Sequence, residues 1–217
     1  MGTRGKHGAE RLCLAALMLC AAAGLAACAA SLPDPRSYLR QHGVDDPRPG
    51  WYRVCYNFGC RSSADIALTG KEWDRLRAVF EPPAGDAQQE RARISKAIGL
   101  MEKLTSTRLG TGADLGGTFT GMGLAYQMDC VDETVNTTTY LTMIEKDGLL
   151  RWHRLAGPAG RGVFFDSWPH QTAVVVETAT DKYFAVDSWF FDDGHPATVV
   201  PLDLWKSGYA PPGGADG

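Results

Sequence analysis

Three residues of the 217-residue chain combine type and position in a way that suits nucleophilic catalysis: Cys130, His170 and Asp187. A thiol attacks as its thiolate, and a free cysteine titrates near 8.5. A helix N-terminus or a neighbouring imidazolium lowers that value. A nucleophilic cysteine therefore belongs in the first turn of a helix, with a base in hydrogen-bond reach and a third group to orient the base. Cys130 opens a segment that reads as a helix. His170 opens a strand, and Asp187 lies on the strand that returns. If the chain turns near Thr180, adjacent strands bring the two ends to about 5 Å. Other readings compete. Cys130 could be a small buried apolar side chain or half of a disulfide with Cys55 or Cys60. His153, between Trp152 and Arg154, reads as a satisfied surface residue. His195 follows Asp192-Asp193-Gly194, a solvated turn that could also supply a metal site. No spaced Cys/His pairs support zinc, and no metal is assigned.

The elements that must position these groups are legible as periodicity. Residues 69–80 read as a short helix with Trp73, Leu76 and Phe80 on one face, stopped by Pro82-Pro83. A longer helix is expected over 86–107, with Ala87, Ile94, Ile98, Met101 and Leu104 inward and Glu90, Arg91 and Lys96 facing water. Residues 110–123 are glycine-rich but lack the Gly-Lys-Ser/Thr of a phosphate loop. They either line a site or form a surface loop. A third helix is expected over 130–146, capped by Asp129, with Asp132 and Glu133 at the positive end of its dipole. Thr137-Thr138-Thr139 count against it, because β-branched residues fit helices poorly. Strands follow at 149–155, 171–178, 183–190 and 198–200, with Asp181-Lys182 as a turn. Helices first and then a mostly antiparallel sheet make an α+β layout.

The run Asp129-Cys130-Val131-Asp132-Glu133, the later His170-x-x-x-Val174-Val175-Val176 and the closing Tyr183-Phe184-Ala185-Val186-Asp187-Ser188-Trp189 resemble the core of transglutaminase-like cysteine peptidases of bacteria. The resemblance spans about residues 120–192. It departs where the family commonly has an aromatic beside its cysteine and a Trp soon after its histidine: Asp129, Val131 and Thr172 stand there. The resemblance implies a papain/transglutaminase-like core, with helices packed on the sheet. It also implies a Cys130–His170–Asp187 triad acting on a peptide or protein amide through a thioester, with water or an amine as acceptor. The oxyanion would sit near the Cys130 N–H, and Gln127 is a candidate second donor. Acidic residues near Cys130 leave calcium open as a cofactor. Two alternatives stand beside this reading: a cell-wall endopeptidase of the NlpC/P60 type, and a non-catalytic protein that uses the same fold to bind an envelope partner.

The N-terminus reads as an export signal. Arg4, Lys6 and Arg11 precede an apolar run, Leu12 to Ala27, too short to span a bilayer. Leu25-Ala26-Ala27-Cys28 resembles a bacterial lipobox, which implies cleavage before Cys28, acylation of its sulfur and a membrane anchor with more than one chain. Ordinary cleavage near Ala30-Ser31 is the alternative. The expected organisation is a signal at 1–27, a proline-rich tether at 28–50 and one catalytic domain at 51–217, held at the bacterial envelope. Cys55 and Cys60 could pair in an oxidising compartment. A formal charge of −3 gives no basic surface for nucleic acid.

Overall fold

A computed structural model describes residues 32–118, 121–162 and 169–215, so the export signal and Cys28 lie outside the described residues. A short helix, α1 (Pro35–Gln41), leads into a hairpin of β1 (Tyr52–Tyr56) and β2 (Ser62–Ile66). Two helices follow, α2 (Gly70–Val79) and α3 (Ala87–Leu109). After a loop comes α4 (Cys130–Lys146). A four-stranded antiparallel sheet, in the order β3 (His153–Arg161), β4 (His170–Glu177), β5 (Tyr183–Asp187), β6 (Thr198–Pro201), then leads to α5 (Leu202–Lys206). The architecture is α+β with two antiparallel sheets.

Local chemistry sets the helix boundaries. Thr69 and Glu72 form a reciprocal capping box at the start of α2. Asp86 caps α3, which ends at Gly110 in the left-handed conformation, φ 79°. Asp129 caps α4 by accepting the N–H groups of Val131 and Asp132.

Strand β4 is buried on both faces. Ala173 and Val175 join Ile94, Ile98 and Met101 of α3 and Tyr140, Leu141 and Ile144 of α4 in the main core. Val174 and Val176 face a second core with Ala185, Trp189, Leu202 and Trp205. This accounts for an unbroken valine run where a half-exposed strand would alternate. Each fully buried valine contributes roughly 1.5–3 kcal/mol.

Several expectations are corrected. From Leu32 onward the expected tether is packed structure: Tyr38, Leu39 and Val44 are buried against Cys55 and Val135. Pro35 sits where a helix tolerates it, in the first turn. Glu90 does not face water; it is 1% exposed and accepts the N–H groups of Arg151, Trp152 and His153. His153 is likewise buried, with Nδ1 2.9 Å from Glu90. The threonine run is helical: Thr139 within it, and Thr134 and Thr142 beside it, satisfy their buried hydroxyls on carbonyls four residues back.

Candidate active site

Strand pairing builds the first half of the site. Strand β4 pairs with β5 in the register Ala173 to Val186, which sets His170 and Asp187 at the same end of the ladder. His170 Nε2 lies 2.7 Å from Asp187 Oδ2, and both side chains are almost completely buried. With Nε2 donating to the carboxylate, the neutral ring carries its lone pair on Nδ1. That atom is buried and has no hydrogen-bond partner among the described residues.

Aromatic residues hold the pair. The His170 ring lies 4.4 Å from Trp189 and 5.4 Å from Trp205, centroid to centroid. Trp205 Nε1 donates to Asp187 Oδ2 at 2.7 Å, and the Trp189 backbone N–H donates to Oδ1. Arg161 lies over the Trp205 ring at 4.5 Å and donates to the Trp205 and Tyr209 carbonyls. Sequence reasoning gave these tryptophans no part in the site. The signal for more was an indole N–H, which needs an acceptor once buried.

Helix α4 supplies the thiol. Cys130 is its first residue, so its N–H has no intrahelical acceptor. Its Sγ lies 3.9 Å from the carbonyl oxygen of Pro169, the residue before His170. The structure thus brings Cys130 to the His170–Asp187 end of the sheet without a thiol–imidazole hydrogen bond. Burial pushes the thiol up to about 11, with Asp129 and Asp187 adding to the rise and the Gln171 N–H opposing it. This is the reverse of the depression expected from a helix N-terminus. Desolvation of the charged form outweighs the dipole here.

Cys130 opens onto a cleft of about 800 Å³ lined by Phe58, Arg61, Thr118, Met122 and Leu124. One wall comes from the glycine-rich loop, the other from the turn between β1 and β2. That turn is closed by a Cys55–Cys60 disulfide and tied to α4 by Asp132, whose carboxylate accepts the N–H groups of Phe58 and Cys60. Gly116 of the loop is required by close approach: a Cβ there would lie 2.8 Å from the Phe190–Phe191 backbone.

The remaining candidates are placed elsewhere. Gln127 turns its amide inward: Oε1 accepts from Leu115 N–H and Nε2 donates to Ala113, so it braces the loop and does not face the thiol. His195 stacks on Phe191 at 4.0 Å, and Asp192 accepts the Gly116 N–H. Cys55, Cys60 and Asp132 cluster closely enough for a metal, but both sulfurs are spent in the disulfide. Asp129 and Asp132, the acids beside Cys130, are likewise spent on backbone N–H groups.

Behind the thiol, Ser188 donates to Glu133 at 2.5 Å and lies 3.1 Å from the Thr137 hydroxyl. This fastens the strand end that carries Asp187 to the helix that carries Cys130. Burial holds the Glu133 carboxyl well above the usual range, with Glu102 and Asp114 adding to the rise.

No described helix is long and apolar enough to cross a membrane. Comparison with known protein families, with curated proteins and with solved structures returns no match.

Proposed function

We propose that the chain is a thiol hydrolase of the bacterial envelope with a papain/transglutaminase-like core, acting on a peptide or protein amide. The observation that carries the reading is the His170–Asp187 pair, bonded through Nε2 with Nδ1 left free, beside a helix-opening cysteine at the mouth of a cleft. With the thiol pushed upward, His170 acts as a general base at the moment of attack and not as one half of a resting ion pair.

His170 Nδ1 takes the thiol proton as sulfur bonds to the carbonyl carbon. The oxyanion faces the Cys130 N–H. The proton passes to the departing amine, the C–N bond breaks, and a thioester remains. Water, activated by the same nitrogen, releases the acid and restores the thiol; an amine in its place gives transamidation. Asp187 stabilises the imidazolium in both halves. The export sequence and Cys28 support a lipid-anchored location.

The test is alkylation of Cys130 by iodoacetamide together with cleavage of a peptide mixture read by mass spectrometry. New termini, lost in Cys130→Ala, and alkylation at least tenfold slower in His170→Ala support the enzyme. Equal alkylation rates and no new termini support a binding protein instead. The absence of a thiol–imidazole bond in this structure is what favours that second reading.

A further inference from the structure

The cleft in front of Cys130 carries more chemistry than bond cleavage uses. Met122 and Leu124 stand on one wall, and with Tyr126 they account for three of the five large apolar side chains left exposed among the described residues. Single apolar side chains on a surface need no explanation, but a cluster along one cleft marks a contact site. Phe58 faces them from the turn between β1 and β2.

That turn holds its side chains still. Asn57, Phe58, Gly59 and Cys60 run consecutively through the left-handed region, with φ of 67°, 63°, 67° and 57°. Three of the four are not glycine, so the path is strained and needs support from its surroundings. The Cys55–Cys60 disulfide and the Asp132 carboxylate on the Phe58 and Cys60 N–H groups supply it. Asn57 also joins the two walls: its Oδ1 accepts the Tyr126 N–H, and Tyr126 stacks on Tyr56 with centroids 5.8 Å apart. Walls tied together in advance reduce the ordering that binding must impose.

Arg61 supplies the charge. Its Nε donates to the carbonyls of Asn57 and Phe58 at 3.0 and 3.3 Å, which fixes the plane of the guanidinium. Neither terminal nitrogen has a partner among the described residues. The other charged side chain on the lining, Asp129, is turned to the N–H groups of Val131 and Asp132. A fixed guanidinium with both terminal groups free matches a carboxylate.

We infer that the cleft selects peptides in which a large apolar side chain stands next to a carboxylate, with the apolar group among Phe58, Met122 and Leu124 and the carboxylate on Arg61. The carboxylate comes from an acidic side chain or from the end of the peptide. A fatty acid offers the same two chemistries, but Asn57, Ser62 and Thr118 put polar atoms along the lining, which suits peptide amides and not an acyl chain. This selectivity rests on the cleft being the substrate site of the proposed hydrolase, although binding itself needs no thiol.

The test uses the Cys130→Ala protein, so that binding is read without turnover. Labelled hexapeptides with an amidated end carry Leu-Glu, Leu-Gln, Ala-Glu or Leu-Lys at their centre, and a fifth ends in Leu with a free carboxylate. Kd is read by fluorescence anisotropy at low salt. We expect Leu-Glu to bind at least tenfold more tightly than Ala-Glu and about fivefold more tightly than Leu-Gln, the second ratio shrinking in 1 M salt. Arg61→Glu turns the preference to Leu-Lys, and Leu124→Ser, at an exposed position, cuts the preference for Leu over Ala at least threefold. A merely structural role for either residue would weaken all five peptides alike. A fifth peptide as tight as Leu-Glu supports the chain end as a source of the carboxylate, and one as weak as Leu-Gln supports the acidic side chain alone. Equal binding of all five, a Leu-Glu preference kept in Arg61→Glu, or decanoate binding more tightly than Leu-Glu in a displacement assay overturns the inference. If the peptides bind as expected and the parent cleaves none of them, the hydrolase reading fails and the binding selectivity stands. If the parent cleaves Leu-Glu and Ala-Glu peptides with equal kcat/KM, the selectivity fails and the hydrolase stands.

Discussion

Trp205 and His170 meet on one atom: the indole N–H of Trp205 and the imidazole Nε2 of His170 both lie 2.7 Å from Oδ2 of Asp187. The carboxylate is thus fixed from two sides inside an apolar shell of Trp189, Phe190 and Trp205. Trp205→Phe removes one donor and puts a smaller ring in a fully buried site. We expect peptide turnover to fall about tenfold, with a loss of roughly 2–4 kcal/mol in stability from the lost hydrogen bond and the cavity together, measured by initial rates and urea unfolding.

The buried thiol predicts an unusual pH profile. A resting thiolate–imidazolium pair would alkylate at a rate that levels off well below neutrality. With Cys130 pushed up to about 11, the rate climbs from pH 7 to beyond pH 10. Asp129→Asn keeps an N-cap side chain and deletes a charge that raises the thiol. Its alkylation at pH 8 should be severalfold faster than in the parent. A plateau below pH 7 in the parent would show a resting ion pair and refute the general-base mechanism.

Glu90 gives the acid limb of stability. Burial raises its carboxyl, but the His153 hydrogen bond and the N–H groups of Arg151 and Trp152 outweigh it and leave the group below its usual value. Its folded value is therefore lower than its unfolded one. The stability it confers is present above about pH 4.5 and is lost as pH falls through the folded value. Thermal melts of Glu90→Gln between pH 3 and 6 should show a shallower acid slope than the parent. They should also show a drop on the order of 3 kcal/mol at pH 6, because three backbone N–H groups lose their charged acceptor.

Residues 32–50 belong to the folded unit. Tyr38 donates to Gln171, the neighbour of His170, at 3.0 Å. Tyr38, Leu39 and Val44 are buried with Cys55 and Val135. A chain beginning at residue 51 loses three buried side chains, roughly 5 kcal/mol by area. That is a large share of a typical domain's stability. We expect it to melt at least 10 °C lower than a chain beginning at residue 32, or to aggregate, as read by differential scanning fluorimetry.

Helices α2, α3 and α4 were legible because their signals are local. Thr69 with Glu72, Asp86 with Gln89, and Asp129 with Asp132 stand three apart, the spacing at which a side chain reaches an orphan backbone N–H. The β1–β2 hairpin was not legible. Its β2 strand, Ser-Ser-Ala-Asp-Ile, has little β propensity. Its pairing is reinforced from outside by Asn136 of α4, whose amide both accepts from and donates to the Cys55 backbone.

Sequence alone marked Cys130, His170 and Asp187 as candidates and set the order of α2, α3, α4 and the four-stranded sheet around them, because capping, valine density and residue type act within a few positions. Tertiary structure decided what each group can do. It turned Glu90 and His153 inward and spent Gln127 on a loop. It set two tryptophans around an imidazole and withdrew the Cys130 sulfur from water far enough to reverse its expected acidity. Desolvation and hydrogen-bond supply depend on neighbours distant in the chain, from Asp187 beside Cys130 to Trp205 beside Asp187, and no local spacing encodes them.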